Sequence, residues 1–212
     1  QQGFHSQIVT SCGRMESDLQ TLRAVRESAG EWAELRLDGG AQYDLETARD
    51  VCAELEQDTL QFLLDPLDTR ELPQVASLGR QTSVPLAVWR AVHSPADVLA
   101  LARCGAAPFV VVDLEQVGGI APARRCAAVA EAAGVSALLG GRPSLGIATA
   151  AMLQLAASTP ALAGCNESAY HQLRDDLLVE PLEITDGMMA LPQAPGLGVE
   201  VDRAKVERYQ LT

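Results

Sequence analysis

Asp113 and Glu115 stand two positions apart at the end of the apolar run Phe109-Val110-Val111-Val112, so a period of two predicts both carboxylates on one strand face. Such a pair suits general acid–base work, and it equally suits bonding to Arg142 or Arg90. Cys12 and Cys165 lie near predicted strand ends, where a thiol nucleophile would need a histidine to activate it. His5, His93 and His171 are scattered, and none has a ligand-like partner three or four residues away. His93, just before Ser94, reads as a solvated loop residue. The five cysteines form no CxxC pair and no zinc spacing. Cys52, Cys104 and Cys126 fall in apolar helical stretches and read as small hydrophobes, which makes a reducing, cytoplasmic compartment the expectation. Asp175-Asp176 and Glu180 read as a solvated acidic surface.

The elements that must position these groups form a regular series. Strand-length apolar runs occur at Ser6–Ser11, Ala33–Asp38, Gln61–Asp65, Pro85–Arg90, Phe109–Leu114 and Ser136–Gly140, their ends roughly 25 positions apart, one βα unit each. Phe109–Val112 and Leu86-Ala87-Val88-Trp89 are continuously apolar, as in parallel strands covered on both faces. Between them, Ser17-Asp18-Leu19-Gln20 has capping-box spacing, Asp44 precedes the Ala48/Val51/Cys52/Leu55 stripe, and Ser94-Pro95 opens a helix that Gly105 closes. Ala-rich helices are expected from Pro122 to Ala133 and from Ile147 to Ser158. This rhythm predicts an α/β fold in a single domain over residues 1–212, with 180–212 as a C-terminal tail. A (β/α)-barrel is favoured over an open doubly wound sheet, since no GxGxxG turn follows an early strand.

The chain has 212 residues, 48% hydrophobic, enough for one sizeable core. No apolar run approaches the roughly 20 residues that span a bilayer, so no membrane partner is expected. With 16 Lys+Arg against 28 Asp+Glu the net charge is −12, a field that repels nucleic acid and anionic lipid surfaces. The first residue is Gln rather than Met, so the expectation is that something precedes it.

In order along the chain, Gly3-Phe4 before a strand, Val25-Arg26-Glu27, Leu35-Arg36-Leu37-Asp38, Asp65-Pro66-Leu67, Asp113 with Val117-Gly118-Gly119-Ile120, and the tail Asp186-Gly187, Leu191-Pro192 and Pro195-Gly196-Leu197-Gly198-Val199 resemble the enolase superfamily in its mandelate racemase and muconate lactonizing branch. The resemblance implies a modified (β/α)7β barrel, here incomplete, without the N-terminal capping domain and the first barrel strand. It also implies proton abstraction alpha to a carboxylate, with Mg2+ held by three carboxylates at successive strand ends and stabilising the enediolate.

Position by position the resemblance thins. Asp38 keeps the first ligand place, but the usual companion Asn is Gly40. The second ligand place is Leu64, and alternation points the neighbouring Asp65 to the other side of the strand unless a bulge intervenes. The third falls on Trp89 or Arg90. The Lys-x-Lys bases fall on Ile8 and Thr10, and no histidine near Gly140-Gly141-Arg142 partners Asp113. Glu167 lies near the eighth strand, where some members place an acid. The catalytic candidates are thus Asp113 and Glu167, the mouth residues Asp38, Arg90 and Arg142, and the metal candidates Asp38 with Asp65 second.

The leading expectation is a catalytically degenerate barrel with no cofactor, kept for ligand binding or assembly, in which the Arg90 guanidinium meets Asp38 where a cation would lie. The alternative is an active Mg2+-dependent racemase, dehydratase or cycloisomerase. Expected partners are a small carboxylate ligand and either a homo-oligomer or a separate N-terminal piece, because a barrel short of a strand exposes sheet edges.

Overall fold

The structure is a computed structural model and describes residues 3–56, 60–68, 70, 72–162 and 164–210. Six parallel strands, β1 (Ser6–Thr10), β2 (Glu34–Asp38), β3 (Leu60–Leu64), β4 (Leu86–Val88), β5 (Phe109–Val112) and β6 (Ser136–Leu139), pair strictly in chain order. Each lies within two residues of its expected bounds. Between them run α1 (Met15–Ala29), α2 (Leu45–Leu55), α3 (Leu72–Gly79), α4 (Pro95–Cys104), the single turn α5 (Leu114–Val117) and α6 (Ile120–Ala132), with α7 (Gly146–Ala157) after β6.

A doubly wound sheet reverses its strand order at a switch point and carries helices on both faces. Here the order never reverses, and the two faces differ. The outward strand residues Leu35, Leu37, Leu63, Val88, Val110 and Val112 pack with the helices in one large buried cluster. The inward residues Phe62, Leu64, Ala87, Val111 and Leu138 form a second, small cluster that receives no helix. The sheet is therefore a partial barrel, its inner face lined by alternate strand positions. After α7 the chain returns through a short antiparallel hairpin, β7 (Ile184–Thr185) and β8 (Met188–Met189), and ends in α8 (Arg203–Tyr209).

Local chemistry explains most helix boundaries. Asp44 caps α2 by accepting from the Thr47 N–H at 2.7 Å, and Ser94 caps α4, which Gly105 ends in the left-handed conformation. The capping box expected at Ser17 does not form. Helix α1 starts earlier, after Arg14, without a side-chain cap. Asp18 is turned into the core instead, where it accepts from the Ser11 hydroxyl (2.7 Å), the Cys12 N–H (2.8 Å) and the Tyr43 hydroxyl (2.7 Å). One carboxylate thus ties the β1–α1 loop to the β2–α2 loop at the C-terminal rim of the sheet.

The acidic surface expected at Asp175-Asp176 is likewise only half right. Asp175 is exposed, but Asp176 is buried and binds the Tyr170 hydroxyl at 2.7 Å and the Gly146 N–H at 2.9 Å, anchoring the start of α7. Its sequence neighbourhood is polar, and only the tertiary return of the tail buries it.

Burial works to raise the Asp18 pKa, but the three donors outweigh it and hold the carboxyl below the usual carboxylate range. Its contribution to stability is therefore complete above the ordinary Asp pKa and is lost as pH falls through the lowered folded value. Asp18→Asn is expected to cost about 1–3 kcal/mol at neutral pH. It should also flatten the loss of stability between about pH 5 and pH 2, as followed by urea unfolding across that range.

Candidate functional site

The C-terminal strand ends converge on three charged side chains. Alternation along β2 sends Leu35 and Leu37 outward and Arg36 and Asp38 inward. Asp38 sits beside Leu64 in register, so the inward place at the end of β3 is filled by a hydrocarbon.

Asp65 is the residue for which strand periodicity misleads. Its φ of +40° breaks the extended run, and its carboxylate turns toward the end of β4. There it accepts from the backbone N–H groups of Trp89 and Arg90, each at 3.0 Å, with no side-chain exposure. Gly39 permits this approach. A Cβ on it would lie 2.8 Å from the Pro66 Cα, where the β2 and β3 loops touch.

Arg90 joins the two carboxylates. Its Nη1 lies 3.1 Å from Asp38 Oδ1 and 2.9 Å from Asp65 Oδ2, and its Nη2 lies 3.2 Å from Asp38 Oδ2. The Asp38 contact is the two-pronged geometry that a planar guanidinium makes with a carboxylate. The expected pairing of Arg90 with Asp38 is thus present, and Asp65 joins it. The guanidinium also stacks on Trp89, 4.6 Å from the ring centroid, while the buried indole N–H of Trp89 has no partner among the described residues. Burial disfavours the Arg90 charge, but the two carboxylates outweigh it and raise its pKa. Burial also raises the Asp65 pKa, against the pull of the two amides and Arg90.

Deeper in the barrel lies a second ion pair that the sequence reading missed. Arg36, 1% exposed, crosses the interior to bond Glu167 Oε1 at 3.0 Å, the Cys165 carbonyl at 2.7 Å and Gln61 Oε1 at 2.5 Å, with its guanidinium over the Phe62 ring. A charged residue between two outward leucines, two positions before Asp38, was the available signal. Glu167 lies in the segment after the 3-10 turn Pro160–Leu162, and its N–H donates to the Leu139 carbonyl at 2.8 Å. Burial raises its pKa, Arg36 opposes this, and nearby Asp38 adds to the rise.

The expected Asp113–Glu115 pair does not form, because β5 stops at Val112. Asp113 Oδ1 caps α5 by accepting from the Glu115 and Gln116 N–H groups at 2.9 and 3.2 Å, and Glu115 leaves on the helix. Arg142 is exposed at the mouth, with its backbone N–H 3.4 Å from Asp113 Oδ2 and its Nη2 3.4 Å from Gln116 Oε1. Cys12 and Cys165 are exposed thiols, whereas burial pushes Cys52 and Cys126 up to about 11. His93 is exposed beside the α4 cap. Among the described residues no group of three or more His, Cys, Asp or Glu is placed to hold a metal ion, and no helix is long and apolar enough to cross a membrane. A cavity of about 360 Å3 opens between β1 and residues 165–169 and extends under α7 and the hairpin.

Comparison with known proteins agrees with this architecture. Residues 1–205 match the family described as enolase C-terminal domain-like. A probable glucarate dehydratase of Streptomyces coelicolor is 35% identical over 90% of this chain and 43% of its own length. Muconate cycloisomerase 1 of Rhodococcus opacus is 29% identical over 97% of this chain and 56% of its own. A solved enolase from Streptomyces coelicolor superposes with a TM-score of 0.92 at 32% identity, covering 98% of this chain and 54% of that one. The chain thus spans about half the length of the relatives it matches.

Arg90→Met leaves Asp65 buried without its cation and is expected to lower the unfolding free energy by about 3 kcal/mol. Arg90→Lys, which keeps the charge but loses the two-pronged contact, should cost less. Denaturant unfolding of the two variants beside the parent checks the order.

Proposed function

The chain belongs to the enolase superfamily, in its mandelate racemase and muconate lactonizing branch, and on that premise we propose that its barrel has exchanged metal-assisted proton abstraction for a carboxylate-binding role without Mg2+. The observation that carries this reading is the Arg90 guanidinium bound to both Asp38 and Asp65. The residues present do not fit the ion. Mg2+ demands a near-octahedral shell of oxygen donors at about 2.1 Å. Around Asp38 the neighbouring strand-end places are Leu64, Trp89 and Arg90, and a guanidinium repels the ion. Asp65 spends both oxygens on amides and on Arg90.

The remaining acid–base parts are committed as well. Ile8 and Thr10, where the resemblance expects lysines, cannot take a proton from carbon. Asp113 caps α5, and Glu167 holds Arg36. Asp38 and Asp65 are held by the same guanidinium and Asp113 by the amides that open α5, which argues against the reading of an active Mg2+-dependent racemase, dehydratase or cycloisomerase built on those three.

Binding chemistry survives better than catalytic chemistry. Arg142 is the exposed cation of the mouth, bonded only weakly to Gln116 among the described residues. Glucarate and muconate, for which two relatives are named, are both carboxylates. A small carboxylate meeting Arg142 is the ligand class that this mouth accepts most readily, because a guanidinium takes a carboxylate through two parallel hydrogen bonds.

Titration calorimetry of MgCl2 into the chain is expected to give no saturable heat. Leu64→Glu combined with Trp89→Asp and Arg90→Glu is expected to restore binding. Saturable binding to the unmodified chain that disappears in Asp38→Ala, or crystals from excess Mg2+ with a six-coordinate ion on Asp38, would overturn the proposal.

A further inference from the structure

We propose that the groove between α8 and the start of α7 binds an amphipathic monocarboxylate, a small molecule with a short hydrocarbon chain or ring and a single anionic head. The groove has a volume of about 590 Å3, the size of a small-molecule site, and its lining includes none of Asp38, Arg90 and Arg142. Its apolar walls are Leu145, Leu177, Val206 and the Tyr209 ring, and Arg174 stands among them.

Polar contacts place α8 here without filling the space beside it. Residues 177–179 run antiparallel to 200–202, with the Val179 N–H donating to the Glu200 carbonyl at 3.0 Å and the Asp202 N–H to the Leu177 carbonyl at 2.8 Å. Asp202 then caps α8 by accepting from the Ala204 and Lys205 N–H groups. Lys205 Nζ lies 3.0 Å from the Leu178 carbonyl and 3.4 Å from Asp175 Oδ1, and the Tyr209 hydroxyl donates to Asp175 Oδ2 at 2.7 Å. No residue of α8 is buried. Val206 and Tyr209, three positions apart and so on one helix face, stay 39% and 47% exposed. Leu145, fixed at the start of α7 beside the Gly146–Asp176 bond, is 42% exposed in the same groove. A hydrocarbon ligand would take all three from water at once.

The charges around the groove select the head of the ligand. Asp175 is paired with Lys205, and the buried Asp176 accepts from the Tyr170 hydroxyl and the Gly146 and Leu177 N–H groups. Arg174 is exposed and has no ion pair among the described residues. Arg208 has none either, and its guanidinium lies 5.3 Å from the centroid of the Tyr209 ring that walls the groove. In a chain of net charge −12, an apolar wall flanked by two guanidinium groups without ion pairs is complementary to an anion. The planar guanidinium fork of Arg174 matches a carboxylate through two parallel hydrogen bonds. A second negative charge on the ligand would meet Asp175 and Asp176, which restricts the class to monocarboxylates.

Titration of the chain with octanoate, followed by methyl NMR, tests this. Octanoate is expected to shift the Leu145, Leu177 and Val206 methyl signals saturably at millimolar concentration, while octylammonium and hexanedioate leave them in place. Arg174→Gln removes the exposed guanidinium and is expected to weaken octanoate binding about tenfold, with the urea midpoint unchanged. Val206→Trp fills the groove from a half-exposed position and is expected to abolish binding in a chain that still unfolds cooperatively. The proposal is overturned if octanoate causes no saturable shift, or if the shifted methyls are those of Leu64 and Val111 inside the barrel. It is equally overturned if octylammonium binds as tightly, if Arg174→Gln binds as the parent does, or if the shifts appear only with a doubling of mass.

Discussion

A buried carboxylate must be compensated, and at the tips of these strands the compensation is covalently attached. Asp65 has no exposed side-chain surface, and leaving it unpaired there would cost several kcal/mol. Two backbone amides and one guanidinium meet that demand. Because the same guanidinium holds Asp38, the ends of β2, β3 and β4 are fastened to one another through a single side chain. The Gly39 approach to Pro66 and the left-handed Asp65 are both consistent with that fastening. Each brings the β3 loop to where Arg90 can reach it.

The interior is arranged in two charged levels separated by apolar packing. Arg90 with Asp38 and Asp65 forms the upper level, Arg36 with Glu167 the lower, and Phe62, Leu64, Ala87, Val111 and Leu138 pack the inner face. The levels communicate electrostatically, since Asp38 contributes to the raised Glu167 pKa. Neither level adds stability as hydrophobic residues would, because desolvating ions consumes most of what their attraction returns. What the pairs supply is position: the upper sets three loops, and the lower ties β2 to Cys165 and Glu167 across the interior.

Much of this was legible in the sequence. Strand positions followed from apolar runs at regular intervals, and the sequential, singly wound order followed from the repeated βα unit. The pairing of Arg90 with Asp38 was legible because a cation had replaced an expected acid at a place that the fold brings beside Asp38. Three features were not. Asp65 required a positive φ that strand periodicity does not anticipate. Asp18 and Asp176 look like surface acids locally, and only contacts 25 and 30 residues away, with Tyr43 and Gly146, reveal them as buried anchors. Arg36 was hidden by its partners, since Glu167 lies 131 residues further on and no local pattern links them.

The proposed exchange of a metal for an arginine also has a charge logic. Three carboxylates around a divalent ion, the site that the resemblance implies, leave one net negative charge. Two carboxylates around one guanidinium leave the same. On the proposed reading the substitution preserves the net charge at the barrel mouth while removing what metal-assisted catalysis would use. A guanidinium carries half the ion's charge, spread over a plane, and here it donates to Asp38 and Asp65 rather than to a developing oxyanion. A site can thus keep its electrostatic balance, and with it the fold of the strand ends, after the means of stabilising an enediolate has gone. On the proposed reading, the persistence of the barrel and the loss of metal-assisted chemistry have one cause, a cation that is part of the chain itself and is held by two carboxylates.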